Sequence, residues 1–293
     1  MLHKDKLGDM GFCPLCGPDS EDPVQLKELK KSHHLTKSTY KYFDSVKAQG
    51  TKLLVKGPGS GQVFPLGKQV IRYLLCSECE LLMSVRGEKY FAESVLKFDL
   101  GKKTPPHVYV VLKNTILNAW VDAYNCTEGR VELIMDFPGS AFSSINSMSI
   151  YHYAVGYFWK ATFKGWLHCD ELCLGDAFVE KMRKYILGGS YVDGYILRVV
   201  PSFWLARYAT VFPMKSGEDL FFSNMQFDFY FEHSPATYDK LMRAGSLPVI
   251  YSVDRRKSER VFKTLKARYQ QSKKAKAIEG SELSWFDQPT VYE

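Results

Sequence analysis

The chain lacks a long apolar run. Its longest stretch without a charge, residues 137–159, holds five serines, one proline and two glycines. A spanning helix needs about 20 predominantly apolar residues, so no membrane segment is expected. Residues 1–10 (MLHKDKLGDM) carry no apolar signal region, which makes a soluble cytoplasmic protein the expectation. Cysteine is scarce at seven, and four of the seven sit in two Cys-x-x-Cys pairs. That usage favours a reducing compartment and metal-bound thiolates over a disulfide framework.

Other catalytic signatures are missing as well. No serine sits in a nucleophile turn with His and Asp partners. Gly57-Pro58-Gly59-Ser60-Gly61 lacks the Gly-Lys-Ser/Thr ending of a phosphate cradle and reads as a hairpin tip. Asp136 and Asp170-Glu171 show no paired-carboxylate spacing, and no internal repeat is present.

A broad excess of one charge is lacking too. The formal net charge is +7, but residues 254–276 alone hold ten Lys/Arg against two acids. The remainder carries 29 basic and 30 acidic groups and is close to neutral. In the basic segment Phe262, Leu265 and Tyr269 recur at helical spacing. A helix docked on one side, with Arg255, Arg256, Lys257, Arg260, Lys263, Lys266 and Arg268 outward, would suit a phosphate backbone. An ordinary solvated face is the alternative.

What remains is an ordinary globular composition, 45% hydrophobic and 24% charged over 293 residues. At about 100–200 residues per domain, two domains are expected. The organising feature is the pair of knuckles, Cys13-Pro14-Leu15-Cys16 and Cys76-Ser77-Glu78-Cys79. A two-residue gap lets both sulfurs of a knuckle reach one ion, so Cys13, Cys16, Cys76 and Cys79 are expected to hold a structural Zn²⁺. The 59 residues between the knuckles include His33-His34.

Ser32-His33-His34-Leu35-Thr36, followed by Leu74-Leu75-Cys76-Ser77-Glu78-Cys79-Glu80, resembles the HNH (ββα-metal) nuclease module. There a His-bearing strand precedes a Leu-Cys-x-x-Cys-His turn that opens a helix. The chain is similar also to a group of bacterial HNH-like proteins that share its Ser-His-x-x-x-Lys (Ser32 to Lys37) and Glu-Lys-Tyr-Phe (Glu88 to Phe91) segments.

The resemblance implies a DNA endonuclease using Mg²⁺ or Mn²⁺, in a bacterial or phage setting such as antiviral defence. Two registers are open. In one, His33 is the general base and Ser32 replaces a metal-binding carboxylate. In the other, His33 binds metal and His34 is the base. In both, Glu80 stands where the family has a ligand histidine, and a carboxylate is a hard ligand suited to Mg²⁺ or Mn²⁺. The family's middle Asn has no counterpart; Gln62 and Gln69 are the nearest amides. Lys37 and Lys41 are further candidates for nucleic-acid contact. A zinc module without catalysis, binding nucleic acid or a protein partner, is the alternative, and so is a subunit docking on an enzyme or on its own copy.

Along the chain, Val70 to Leu75 reads as a strand and Glu80 to Leu96 as a helix interrupted by Gly87. Pro105-Pro106 marks a boundary. His107 to Leu112 and Val131 to Asp136 read as strands. Ile150, Tyr153, Ala154, Tyr157, Phe158 and Ala161 form the core stripe of a helix, and another helix runs from Asp176 to Gly188-Gly189. Tyr195 to Phe203 is β, and Met225 to Glu232 alternates as a half-buried antiparallel strand. His168, Cys169 and Cys173 read as buried thiols beside Trp166 or part of a second metal site.

The fold class is α+β: a zinc-stapled ββα-metal or treble-clef-like module over residues 1–104, an α+β domain over 105–253, and a basic helix and tail over 254–293.

Overall fold

The computed structural model describes residues 10–17, 26–40, 53–56, 63–66, 69–96, 106–128, 133–166, 169, 171–203 and 210–261. Lys41, the glycine-rich loop, Gln62, His168, Lys263, Lys266 and Arg268 lie outside them. The chain is mixed α and β, as expected.

A three-stranded sheet opens the fold, with β1 (Met10–Gly11), β2 (Lys27–His33) and β5 (Ile71–Cys76) in the order β1-β2-β5. A separate hairpin pairs β3 (Leu53–Lys56) with β4 (Val63–Leu66) on either side of the glycine-rich loop. Strand β5 runs without a break into α1 (Ser77–Met83), which continues through wider π-type turns at Ser84–Glu88 and Phe91–Leu96. Gly87 does not end this helix, because it is where the helix touches its neighbour. A Cβ there would come within 2.7 Å of the Tyr153 backbone nitrogen.

The reading of His107 to Leu112 as a strand is corrected. These residues form α2 (His107–Leu112), which continues through Lys113–Leu117 into α3 (Asn118–Cys126). Val108, Leu112, Ile116 and Trp120 are all buried, and they recur every fourth residue. The period that decides the element runs past Val108, Tyr109, Val110 and Val111, the β-branched and aromatic residues that suggested a strand. Of the expected strand at Val131 to Asp136, residues 131 and 132 lie outside the described residues, and β6 (Met135–Pro138) begins at Met135.

Helix α4 (Ser147–Ala161) is the structural centre. Every residue from Ser149 to Ala161 is buried, so the expected stripe becomes a full circumference. A helix apolar all round must be enclosed by other elements. On one side it meets the six-stranded sheet of β6, β7 (Tyr195–Pro201), β8 (Thr210–Ser216), β9 (Asp219–Asn224), β10 (Phe227–His233) and β11 (Val249–Val253). The order is β6-β11-β7-β10-β9-β8, antiparallel except for β11 against β7. Phe222, Phe229 and Phe231 face inward from it, and Phe222 meets the Tyr157 ring at 4.8 Å. On the other sides lie the α1 helix and α5 (Asp176–Leu187), whose Tyr185 ring meets Tyr151 at 5.0 Å. Helix α5 stops where expected, on Gly188 at φ +114°, a conformation that glycine adopts at little cost. Helix α6 (Pro235–Arg243) covers Ile196 and Ile250 on the outer face of the sheet.

Candidate metal centre and the histidine strand

The four knuckle cysteines converge. Their sulfurs all lie within 4.8 Å of one another, with Cys16 Sγ 3.8 Å from Cys76 Sγ, and all four are free of disulfides. Zn–S bonds of about 2.3 Å place the sulfurs of a tetrahedral site about 3.8 Å apart. The donor set and spacing fit zinc. Cys13, Cys76 and Cys79 are buried, and Cys16 is half-buried.

Local structure explains the convergence. The Gly17 N–H donates to the Cys13 carbonyl at 2.8 Å, which closes the first knuckle into a tight turn. Cys76 is the last residue of β5 and caps α1, so the second knuckle lies over the positive end of a helix, where thiolates are favoured. Lys27 places its ammonium 3.5 Å from Cys16 Sγ, offsetting negative charge on the cluster. The Cys13 pKa is held down, to about 4, chiefly by a hydrogen bond from Cys79, and the same contact drives the Cys79 thiol up.

The first knuckle is anchored to a helix distant from it in sequence. Arg183 on α5, itself buried, donates to the Leu15 carbonyl at 2.7 Å and is held by Glu180 at 2.7 and 2.9 Å.

Strands β2 and β5 pair antiparallel, with Ser32 opposite Arg72 and His33 opposite Ile71. Directly opposed residues share a face and neighbours alternate. Ser32 therefore faces α1, where its hydroxyl donates to the Glu80 carboxylate. His33, the last residue of β2, is half-buried on the other face, and its Nε2–H donates to Gln69 Oε1 at 2.9 Å. That leaves Nδ1 as its basic nitrogen. Behind the strand end, the buried Lys160 pairs with Glu88 and donates to the His33 carbonyl at 3.3 Å.

His34 is enclosed. It is 2% exposed, and the rings of Tyr157, Trp166 and Phe212 lie 5.2, 4.9 and 4.8 Å from its own. Burial, with Lys160 nearby, pushes its pKa down to about 3. The two histidines thus occupy different environments, and Glu80 lies beside Ser32. Among the described residues, the four cysteines are the one group of three or more His, Cys, Asp or Glu side chains that converges on a common point. The reading of Cys169 and Cys173 as buried thiols is corrected: Cys169 is half-buried and Cys173 exposed.

The basic segment begins as a helix over residues 255–261. Arg255 pairs with Glu259 at 2.8 Å. Lys257 bonds Glu232 at 2.9 Å and covers the Tyr230 ring at 4.4 Å, so its charge is partly neutralised by the sheet. Lys37 is exposed on a helical turn directly after the histidines. Two anchoring side chains escaped the sequence reading, Arg183 and Lys160, whose partners lie 168 and 127 residues away. No helix among the described residues is long and apolar enough to cross a membrane. No family model matches the chain, and neither a curated protein nor a solved structure is found that is similar to it.

Proposed function

We propose that the chain is a zinc-stapled ββα-metal-type module that cleaves a phosphodiester of DNA, with His33 as general base. The observation that carries this reading is the meeting of Ser32 and Glu80 between the strand pair and the helix opened by the second knuckle, beside His33 at the strand end. A carboxylate and a hydroxyl are hard oxygen ligands that fit Mg²⁺ or Mn²⁺, ions that keep several waters of their own. Such an ion would supply charge stabilisation at the scissile phosphate. Gln69 fixes the His33 tautomer so that Nδ1 is free to take a proton from water. The Lys160–Glu88 pair, by holding the His33 carbonyl, sets where that ring stands. Of the two registers, the one with His33 as base is preferred, since His34 is closed off from solvent.

A second reading, a zinc module that binds nucleic acid without cutting it, is favoured by the alternation that sends Ser32 and His33 to opposite faces. Plasmid cleavage with Mg²⁺ or Mn²⁺ separates the two. Nicking lost in a zinc-loaded His33→Ala variant and retained in His34→Phe supports the nuclease. Absence of nicking by the zinc-loaded wild type, with DNA binding intact, supports the second reading.

A further inference from the structure

Among the described residues, Arg72 is the one partly buried cation of the β2–β5 pair without a carboxylate partner; Lys27 and Lys30 have theirs, and Lys31 is exposed. It stands directly across from Ser32, on the face where Ser32 and Glu80 meet. Its guanidinium lies 5.7 Å from the centre of the Trp166 ring, stacked as a cation on an aromatic face. A Cβ on Gly165 would lie 3.7 Å from Arg72 Nη1, so the loop before Trp166 closes over that end of the group. Nη1 is buried and makes no hydrogen bond, and among the described residues no carboxylate pairs with the guanidinium. Nη1 itself is buried, while the side chain as a whole is half-buried.

A cation withdrawn from water and left without an acceptor is costly, and burial here disfavours the charged form. The environment is nevertheless built to hold it, with an aromatic platform beneath and a strand partner of fixed register. Arginine presents a planar fork of donors that matches the oxygens of a phosphate.

We propose that Arg72 is a phosphate-binding residue, its free N–H groups closing on a nucleic-acid phosphodiester on the Ser32–Glu80 side of the strand pair. The inference deepens the reading above, in that it rests on this face meeting nucleic acid, but it does not require cleavage.

The test uses the zinc-loaded full chain and a fluorescent duplex oligonucleotide, titrated without Mg²⁺ or Mn²⁺ at several salt concentrations. Arg72→Gln is expected to bind about tenfold more weakly, as for loss of a charge-assisted hydrogen bond. Its dependence of log affinity on log salt should be shallower by about one. Arg72→Lys should recover the slope but only part of the affinity, and Lys240→Gln, on α6, should match wild type. Zinc content and melting temperature are measured for each variant, and a labelling experiment on wild type needs no substitution. Phenylglyoxal modification of Arg72, read by mass spectrometry, should be suppressed by the bound oligonucleotide.

Equal labelling with and without oligonucleotide overturns the proposal, as does an Arg72→Gln salt slope equal to that of wild type. So does a zinc-loaded wild type that binds no nucleic acid. Cleavage is scored separately. A wild type that binds through Arg72 yet never nicks DNA leaves this inference standing and removes the nuclease. A wild type that nicks DNA while Arg72→Gln binds and cuts equally well does the reverse.

Discussion

Gln69 Oε1 lies 2.9 Å from Nε2 of His33 across the entry to β5, so one amide decides which imidazole nitrogen carries the proton. If His33 is the base, removing its ring should cost about 10²–10⁴ in nicking rate, the usual contribution of a positioned general base. Gln69→Leu should lose less than His33→Ala, because the ring remains but its tautomer is no longer imposed. Rates of Mn²⁺-dependent plasmid nicking, measured on zinc-loaded protein, decide this. A His33→Ala variant that nicks at the wild-type rate removes His33 from the chemistry.

The four thiolates should hold one Zn²⁺ per chain and contribute to folding, since binding energy at a structural site is folding energy. Cys76→Ser should lose the metal and much of the thermal transition. Cys126→Ser and Cys173→Ser, at exposed free thiols, should lose neither. Elemental analysis alongside thermal melts is the check. Full zinc content in Cys76→Ser would show that the cluster is not the site.

Acid should destabilise the fold through two histidines that are buried neutral. Burial lowers the pKa of His34 to about 3 and of His152 to about 4. Both lie below the ordinary value near 6.5, so the unfolded chain binds more protons over that interval and stability rises with pH. Stability should therefore fall as pH drops below about 6.5, with the His152 contribution ending near 4 and that of His34 near 3. The slope per residue is about 1.4 kcal/mol per pH unit. Urea midpoints from pH 7 downward should fall less steeply for His34→Phe than for wild type, and parallel curves would mean His34 is not buried neutral.

Much of this architecture is visible in the residues themselves. The knuckle spacing marks Cys13, Cys16, Cys76 and Cys79, and their sulfurs do converge. The alternation at Phe227, Phe229 and Phe231 marks β10, and Gly188 marks the end of α5. Three things were not visible, each for a physical reason. Val108 to Leu112 reads as β because χ1-stiff residues dominate a short window, while the burial period that makes it helical runs on to Trp120. His33 and His34 are neighbours in sequence, yet tertiary packing leaves one half-buried and encloses the other. The ties of Arg183 to Leu15 and of Lys160 to His33 join segments more than a hundred residues apart, beyond any local pattern.

Lys160 and Glu88 form an ion pair with side-chain exposures of 4% and 19%, between α4 and the α1 helix. Removing one member of such a pair leaves an uncompensated charge, at a typical cost of about 3–5 kcal/mol, whereas replacing both with apolar groups is often close to neutral. Lys160→Met should therefore lower the urea midpoint strongly, and adding Glu88→Leu should restore much of it. Nicking should not recover with stability, because the His33 carbonyl has still lost its donor. Recovery of both together would show that the pair only stabilises.

Two helix contacts with no side chain on one partner make predictions of different size for the same substitution. In exposed helix interiors Gly→Ala gains about 1 kcal/mol. At Gly87 the new Cβ would lie 2.7 Å from the Tyr153 backbone nitrogen and 3.0 Å from its Cα, atoms that cannot move without shifting α4. At Gly156 it would lie 2.5 Å from Met83 Cε, the free end of a flexible side chain. Gly87→Ala should therefore destabilise by about 1–3 kcal/mol, the ordinary cost of overpacking, and Gly156→Ala by clearly less. Because the α1 helix carries Cys79 and Glu80 at its start, Gly87→Ala should also weaken zinc retention against a competing chelator, while Gly156→Ala leaves it nearer wild type. Thermal melts and chelator titrations of the two variants read both effects, and equal losses at the two positions would mean that the α1–α4 contact does not set the position of the knuckle.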